Sequence, residues 1–255
     1  MAGKYRIPAG DTRLHARHTP GPDPTLVLVN GGFTTRRYWK PVLTLLDGAH
    51  ATVTFDARGR GRSGTSSDYS LATAVDDLGR VIQATGATRP VLVGWSYGAS
   101  VAVRYALAHA DSIRGVVLVD GAFPITMFDD AARERVRARF TEGGLALRLS
   151  ALLGNGLRMA PAEAAEVSIE LDASNGDLDY ASLRVPASFV MASGPHAGSS
   201  VEDAARRRAA VTLALDANDL VNVHGTSEAD HVGVLTADPG LIIGAARDVI
   251  ARSAS

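Results

Sequence analysis

The residues of this 255-residue chain that most directly suggest chemistry are Gly94-Trp95-Ser96-Tyr97-Gly98. They follow a short apolar run, residues 90–93, and precede an alanine-rich stretch of helical spacing, residues 97–109. A nucleophile on a strand-to-helix turn sits in strained backbone, so its neighbours must be small. Gly94 and Gly98 meet that demand, and the turn projects the Ser96 hydroxyl over a sheet edge. The helix opening at Tyr97 aims its positive end at the same point.

A serine hydroxyl attacks only when a base takes its proton, which requires a histidine within reach. The chain has seven. His15, His18 and His50 precede the turn, His109 ends a helix where a cation suits the dipole, and His196 follows a strand. His224 ends a strand and reads as structural. His231 lies in a loop after the last expected strand and before the last helix, where the chain order serine, acid, histidine puts the base. Asp120 is the expected acid. It ends the apolar run 116–119, one helix and one strand after Ser96, and adjacent strands lie about 4.8 Å apart, so the two strand ends are neighbours at the carboxyl edge. Alternatively, Asp120 caps a turn with Gly121; Asp203 or Glu202 would then be the fallback, Asp230 standing too close to His231 in sequence.

An oxyanion needs amide donors. Asn30-Gly31-Gly32-Phe33 follows another short strand, and its glycines let backbone N–H groups approach a substrate closely. Gly32 or Phe33 would supply one donor and Tyr97 the other.

The elements that must position these residues are legible in outline. Residues 5–7 and 12–16 read as strands around a turn, 25–29 as a strand buried on both faces, 38–46 as a helix and 51–55 as a strand. Residues 70–84 form a helix with Asp76 and Asp77 facing water; strands at 90–93 and 116–119 flank the helix at 97–109. From 126 to about 172 the patterns are helical throughout: 129–140, 145–153 and 161–171. Strand and helix then resume at 187–191, 201–215, 220–224 and 239–252. This alternation predicts an α/β fold with a mostly parallel sheet and helices on both faces. Residues 1–255 read as one domain, with 121–183 inserted between two strands as a helical cap.

Composition narrows the function. Lys and Arg number 26 against 27 Asp and Glu, a net charge of −1, so there is no basic excess for nucleic acid. With no cysteine there is no disulfide, thiolate metal site or cysteine nucleophile. The first 20 residues lack an apolar signal core, and the longest apolar runs fall far short of the roughly 20 residues that span a bilayer. The expectation is a cytoplasmic protein without membrane or nucleic-acid partners, acting on a small molecule without a cofactor. Gly59-Arg60-Gly61-Arg62-Ser63-Gly64 mimics a dinucleotide fingerprint, but a polar loop, residues 65–68, separates it from the next helix, and no acidic residue ends the following strand. His15 and His18 on a short strand and loop are a weak metal candidate.

Together these residues resemble the α/β-hydrolase superfamily. The resemblance runs through Asn30-Gly31-Gly32, the D-x-R-G-x-G-x-S element at Asp56-Ala57-Arg58-Gly59-Arg60-Gly61-Arg62-Ser63, the elbow at 94–98, Asp120 and the loop around His231. It implies an eight-stranded, mostly parallel sheet with a helical cap after the sixth strand. Two departures stand out. The family usually has His where this chain has Asn30, and its commonest acid position, after the seventh strand, here reads Ser193-Gly194-Pro195-His196. Some members take the acid from the end of the sixth strand, where Asp120 lies.

The resulting expectation is a serine hydrolase for an ester-like bond (carboxylic ester, lactone or thioester), with Ser96 as nucleophile, His231 as base and Asp120 as its orienting acid. Trp95, Phe123, Met127 and Phe128, with Phe33 and Tyr97, are the expected substrate contacts. The arginine run 133–139 reads as a solvated helix face; turned toward the pocket, it would favour acidic substrates. The alternatives are a lyase, cyclase or carbon–carbon bond-cleaving enzyme on the same scaffold, which Asn30 keeps open, and a catalytically silent ligand-binding member.

Overall fold

The computed structural model describes residues 3–143, 156–194 and 200–254. Its strands are β1 (Gly3–Ala9), β2 (Thr12–Thr19), β3 (Leu26–Val29), β4 (Thr52–Asp56), β5 (Val91–Trp95), β6 (Gly115–Val119), β7 (Ala187–Ala192) and β8 (Val221–Ser227). They form one sheet in the order β1-β2-β4-β3-β5-β6-β7-β8. β2 pairs antiparallel with β1 and with β4, and the pairs from β4 to β8 are parallel. The helices are α1 (Lys40–Leu46), α2 (Leu71–Thr85), α3 (Tyr97–Ala108), α4 (Asp130–Glu142), α5 (Pro161–Asn175), α6 (Val201–Ala217), α7 (Val234–Ala237) and α8 (Pro239–Arg252). α4 and α5 lie in the segment between β6 and β7.

The central parallel strands β3, β5 and β6 are short, rich in valine and leucine and buried along their length because both faces of the sheet are covered there, whereas the edge strand β8 is largely open to solvent. Side chains alternate across the sheet. Val27, Val29, Leu92, Val116 and Leu118 pack on one side with α2 and α3, while Leu26, Leu28, Val91, Val93, Val117 and Val119 pack on the other with α1 and α8. Each fully buried leucine or valine contributes on the order of 1.5–3 kcal/mol, so both layers are held mainly by apolar burial.

Several expectations need adjusting. The helix expected at 38–46 opens as a 3-10 turn, Arg36–Trp39, before α1. The strand expected at 220–224 runs on to Ser227, with a register shift that leaves His224 as the extra residue between the pairs Phe189–Val223 and Val190–Gly225. Asp77 does not face water: it is 1% exposed because the Arg58 guanidinium grips both carboxylate oxygens, each at 2.8 Å. The expected helix 145–153 lies outside the described residues. Among the described residues no helix is long and apolar enough to cross a membrane.

Candidate active site

β5 ends on Trp95, and the chain turns at Ser96 with φ 56° and ψ −120° before α3 begins. That left-handed φ is costly for a residue with a side chain, and the neighbouring glycines make it attainable. A Cβ on Gly94 would stand 2.2 Å from the Gly98 carbonyl oxygen, and one on Gly98 would stand 2.2 Å from that of Val29. The turn is therefore compressed against α3 on one side and β3 on the other. Asp120, directly after β6, also has positive φ, 42°, and its N–H donates to the Val190 carbonyl at 2.8 Å.

These strand ends bring the three expected residues into line. His231 Nε2 lies 2.8 Å from Ser96 Oγ, and His231 Nδ1 lies 2.6 Å from Asp120 Oδ2. A carboxylate accepts only, so Nδ1 carries the proton and donates to Asp120; Nε2 is left as acceptor for the serine hydroxyl. The other carboxylate oxygen of Asp120 accepts the Ala192 N–H at 3.2 Å. The Asp120 side chain is 2% exposed and that of His231 24%. The acid is thus locked into the sheet while the imidazole opens on the site. Asp203 and Glu202 sit in the first turn of α6, where Asp203 exchanges capping hydrogen bonds with Ser200. Asp230 accepts the N–H groups of Val232 and Gly233.

The loop after β3 closes the other side. Gly32 and Phe33 border the same cavity as Ser96, Tyr97 and His231; its volume is about 680 Å³. Asn30, at the unusual position, donates from Nδ2 to the Phe55 carbonyl at 2.6 Å and ties this loop to β4. Arg60, which sequence reasoning passed over, is 2% exposed. Its Nε donates to the Gly32 carbonyl at 2.7 Å, and its guanidinium carbon lies 5.6 Å from the centre of the Tyr97 ring. Burial pushes the Arg60 pKa down and that of Tyr97 up to about 12, so the phenol stays neutral. The glycines around Arg60 serve this fold rather than a nucleotide. A Cβ on Gly61 would meet the Asp56 carboxylate at 2.6 Å, which accepts the N–H groups of Arg36 and Arg62.

Of the expected substrate contacts, Phe33, Tyr97, Phe123, Met127 and Phe128 border the cavity. Trp95 is a correction. Strand alternation sends it to the opposite face, into the layer of Trp39 and Val93, where its indole N–H donates to the His231 carbonyl at 2.9 Å. The rings of Trp95 and His231 are 5.4 Å apart. Among the described residues no cluster of three or more His, Asp or Glu could hold a metal ion.

Residues 26–253 match the model of the Alpha/beta hydrolase family. The chain belongs to that family. A segment of 121 residues is 32% identical to "Putative carbamate hydrolase RutD" of Escherichia coli O6:H1, covering 46% of this chain and 44% of that protein. The alignment thus spans less than half the length of that relative. Solved structures with a similar fold include the enol-lactonase from Burkholderia xenovorans LB400, with TM-score 0.76 and 19% identity over 98% of this chain and 100% of that one. An esterase from Exiguobacterium antarcticum follows with TM-score 0.72 and 16% identity over 98% and 99%.

Proposed function

We propose that this chain is a serine hydrolase cleaving an ester-like carbonyl bond (carboxylic ester, lactone or thioester) through an acyl-enzyme. The observation that carries the reading is the continuous relay from Ser96 Oγ to His231 at 2.8 Å and from His231 to Asp120 at 2.6 Å. Ser96 attacks the carbonyl as His231 takes its proton. Asp120 holds the imidazole tautomer and stabilises the imidazolium, which then returns the proton to the leaving group. Water, deprotonated by the same histidine, releases the acid.

The N–H groups of Tyr97 and of Gly32 or Phe33 would receive the oxyanion. Arg60 supports that task as a positioning residue. The Gly32 carbonyl it binds belongs to the same peptide plane as the Phe33 N–H, so the guanidinium fixes that plane and polarises the donor. The described part of the insertion, with α4 and α5, would act as a cap over the site. Asn30 turns to β4 and gives no support to lyase or carbon–carbon cleavage chemistry. A silent binder would have no use for the matched relay.

Intact-mass analysis after exposure to a small fluorophosphonate tests the reading. One adduct is expected in the wild type, none in Ser96→Ala and slow labelling in Asp120→Asn; turnover of an ester by Ser96→Ala should fall on the order of 10⁴-fold or more. A folded wild-type protein that forms no adduct would overturn it.

A further inference from the structure

α4 carries four arginines at alternate positions, and they are not equivalent. Arg133 pairs with Asp130 at 3.3 Å. Arg137 pairs with Glu134 at 2.6 Å and with Glu166 of α5 at 2.8 Å. Arg135 and Arg139 stand one helical turn apart on the other face, border the cavity that holds Ser96, and their guanidinium groups have no hydrogen-bond or ion-pair partner among the described residues. A third guanidinium, Arg207 of α6, borders the same cavity.

Two carboxylates near them do not cancel this charge by direct pairing. Asp172 takes the N–H groups of Met127 and Phe128, one on each oxygen, at 2.9 and 2.8 Å. Asp203 takes the Ser200 N–H at 2.9 Å, with Arg207 near enough to help lower its pKa, after the backbone hydrogen bond and its Ser200 partner. Asp120 serves His231. Next to Arg139, Phe140 meets Phe33 of the loop beside Ser96, ring centres 5.0 Å apart, which brings the cationic helix to the reaction centre.

We infer that the substrate carries an anionic carboxylate besides its scissile carbonyl, bound by Arg135 and Arg139 with Arg207 adding to the positive field. This deepens the serine-hydrolase reading and rests on it. A guanidinium fork matches a carboxylate's two oxygens, and the three acidic side chains that border the same cavity, Asp120, Asp172 and Asp203, are already engaged by His231 or by backbone N–H groups of the protein.

Two matched ester pairs test it: p-nitrophenyl hydrogen glutarate against p-nitrophenyl valerate, with the carboxylate on the acyl side, and 4-acetoxybenzoate against phenyl acetate, with it on the leaving group. In the wild type the anionic member of at least one pair should have the higher kcat/KM by about tenfold or more. Arg135→Gln/Arg139→Gln, which keeps the length of both side chains, should lose that preference. Arg137→Gln, on the opposite face, should keep it. Equal or reversed preference in both wild-type pairs, or a preference that survives the double substitution, overturns the inference. Calorimetry with glutarate on Ser96→Ala reads the anion site without turnover: saturable binding, lost when Arg135→Gln/Arg139→Gln is added, supports it, and no saturable binding overturns it. A wild-type protein that binds glutarate but takes no fluorophosphonate adduct would fail the hydrolase reading and leave the anion site standing.

Discussion

The carboxyl edge of the sheet and the segment between β6 and β7 border one cavity, yet they are built on different terms. In α3, nine of 12 residues are buried, and the elbow ahead of it leaves no room for a methyl group at Gly94 or Gly98. In α4, none of the 13 residues is buried, and ion pairs with solvent-exposed partners bind it to itself and to α5. The proposed chemistry sits where backbone sterics remove freedom; the charges proposed to choose the ligand sit where side chains can be exchanged cheaply. A reacting geometry tolerates errors of a fraction of an ångström, whereas charge recognition tolerates far more.

The sharpest way to break this contrast is a pair of opposite substitutions. Gly98→Ala sets a methyl group against two backbone carbonyls and should cost about 4 kcal/mol or more, or abolish folding. Ala138→Gly on the exposed face of α4 should cost about 1 kcal/mol. Denaturant titration of both would decide, and equal losses would erase the distinction. A subtler test uses Arg60→Met. Removing a buried charge relieves its desolvation but orphans the Gly32 and Arg58 carbonyls, so stability should move by no more than about 2 kcal/mol in either direction. Meanwhile kcat should fall about tenfold to a hundredfold with KM little changed, as expected for a misplaced oxyanion donor. Steady-state kinetics beside thermal melts checks this, and an unchanged kcat would remove Arg60 from the machinery.

The smallest effect is expected far from the cavity. Asp11 takes the Ser67 N–H and the hydroxyls of Ser66 and Ser67, which hold its carboxyl down at about 2. The folded value lies below the unfolded one of about 3.9. The ionised group therefore stabilises the fold above pH 4, and that contribution disappears as pH falls through about 2. Asp11→Asn should lower the melting temperature slightly at neutral pH, with the gap closing near pH 2. A gap that persists there would mean the loop depends on something other than the charge.

Much of the fold, and the placing of Ser96 and Asp120 at neighbouring strand ends, is readable because the causes are local. Glycines around a serine and a strand end at Asp120 follow from neighbours in sequence, whereas His231 is reached only through the chain order serine, acid, histidine, 135 residues beyond Ser96. The other arginines show where such reading stops. Arg60 and Arg62 look alike in a glycine-rich run, but Arg60 is buried because Gly32 and Tyr97 arrive from distant parts of the chain, while Arg62 stays exposed. Arg137 has Glu134 one helical turn before it in the sequence, but its second partner, Glu166, is supplied only by α5. Asp77 looked solvated for the same reason, its partner Arg58 lying 19 residues away. Trp95 was legible in principle: the alternation along β5 places it with Val91 and Val93, away from the cavity.

That indole has a use of its own. The chain contains two tryptophans, and Trp95 lies against the His231 ring with its N–H on the His231 carbonyl. Trp95 therefore reports on the loop that carries His231: a ligand or substitution that moves this loop changes the indole's surroundings, and the movement can be read from the protein's own emission with no dye or label.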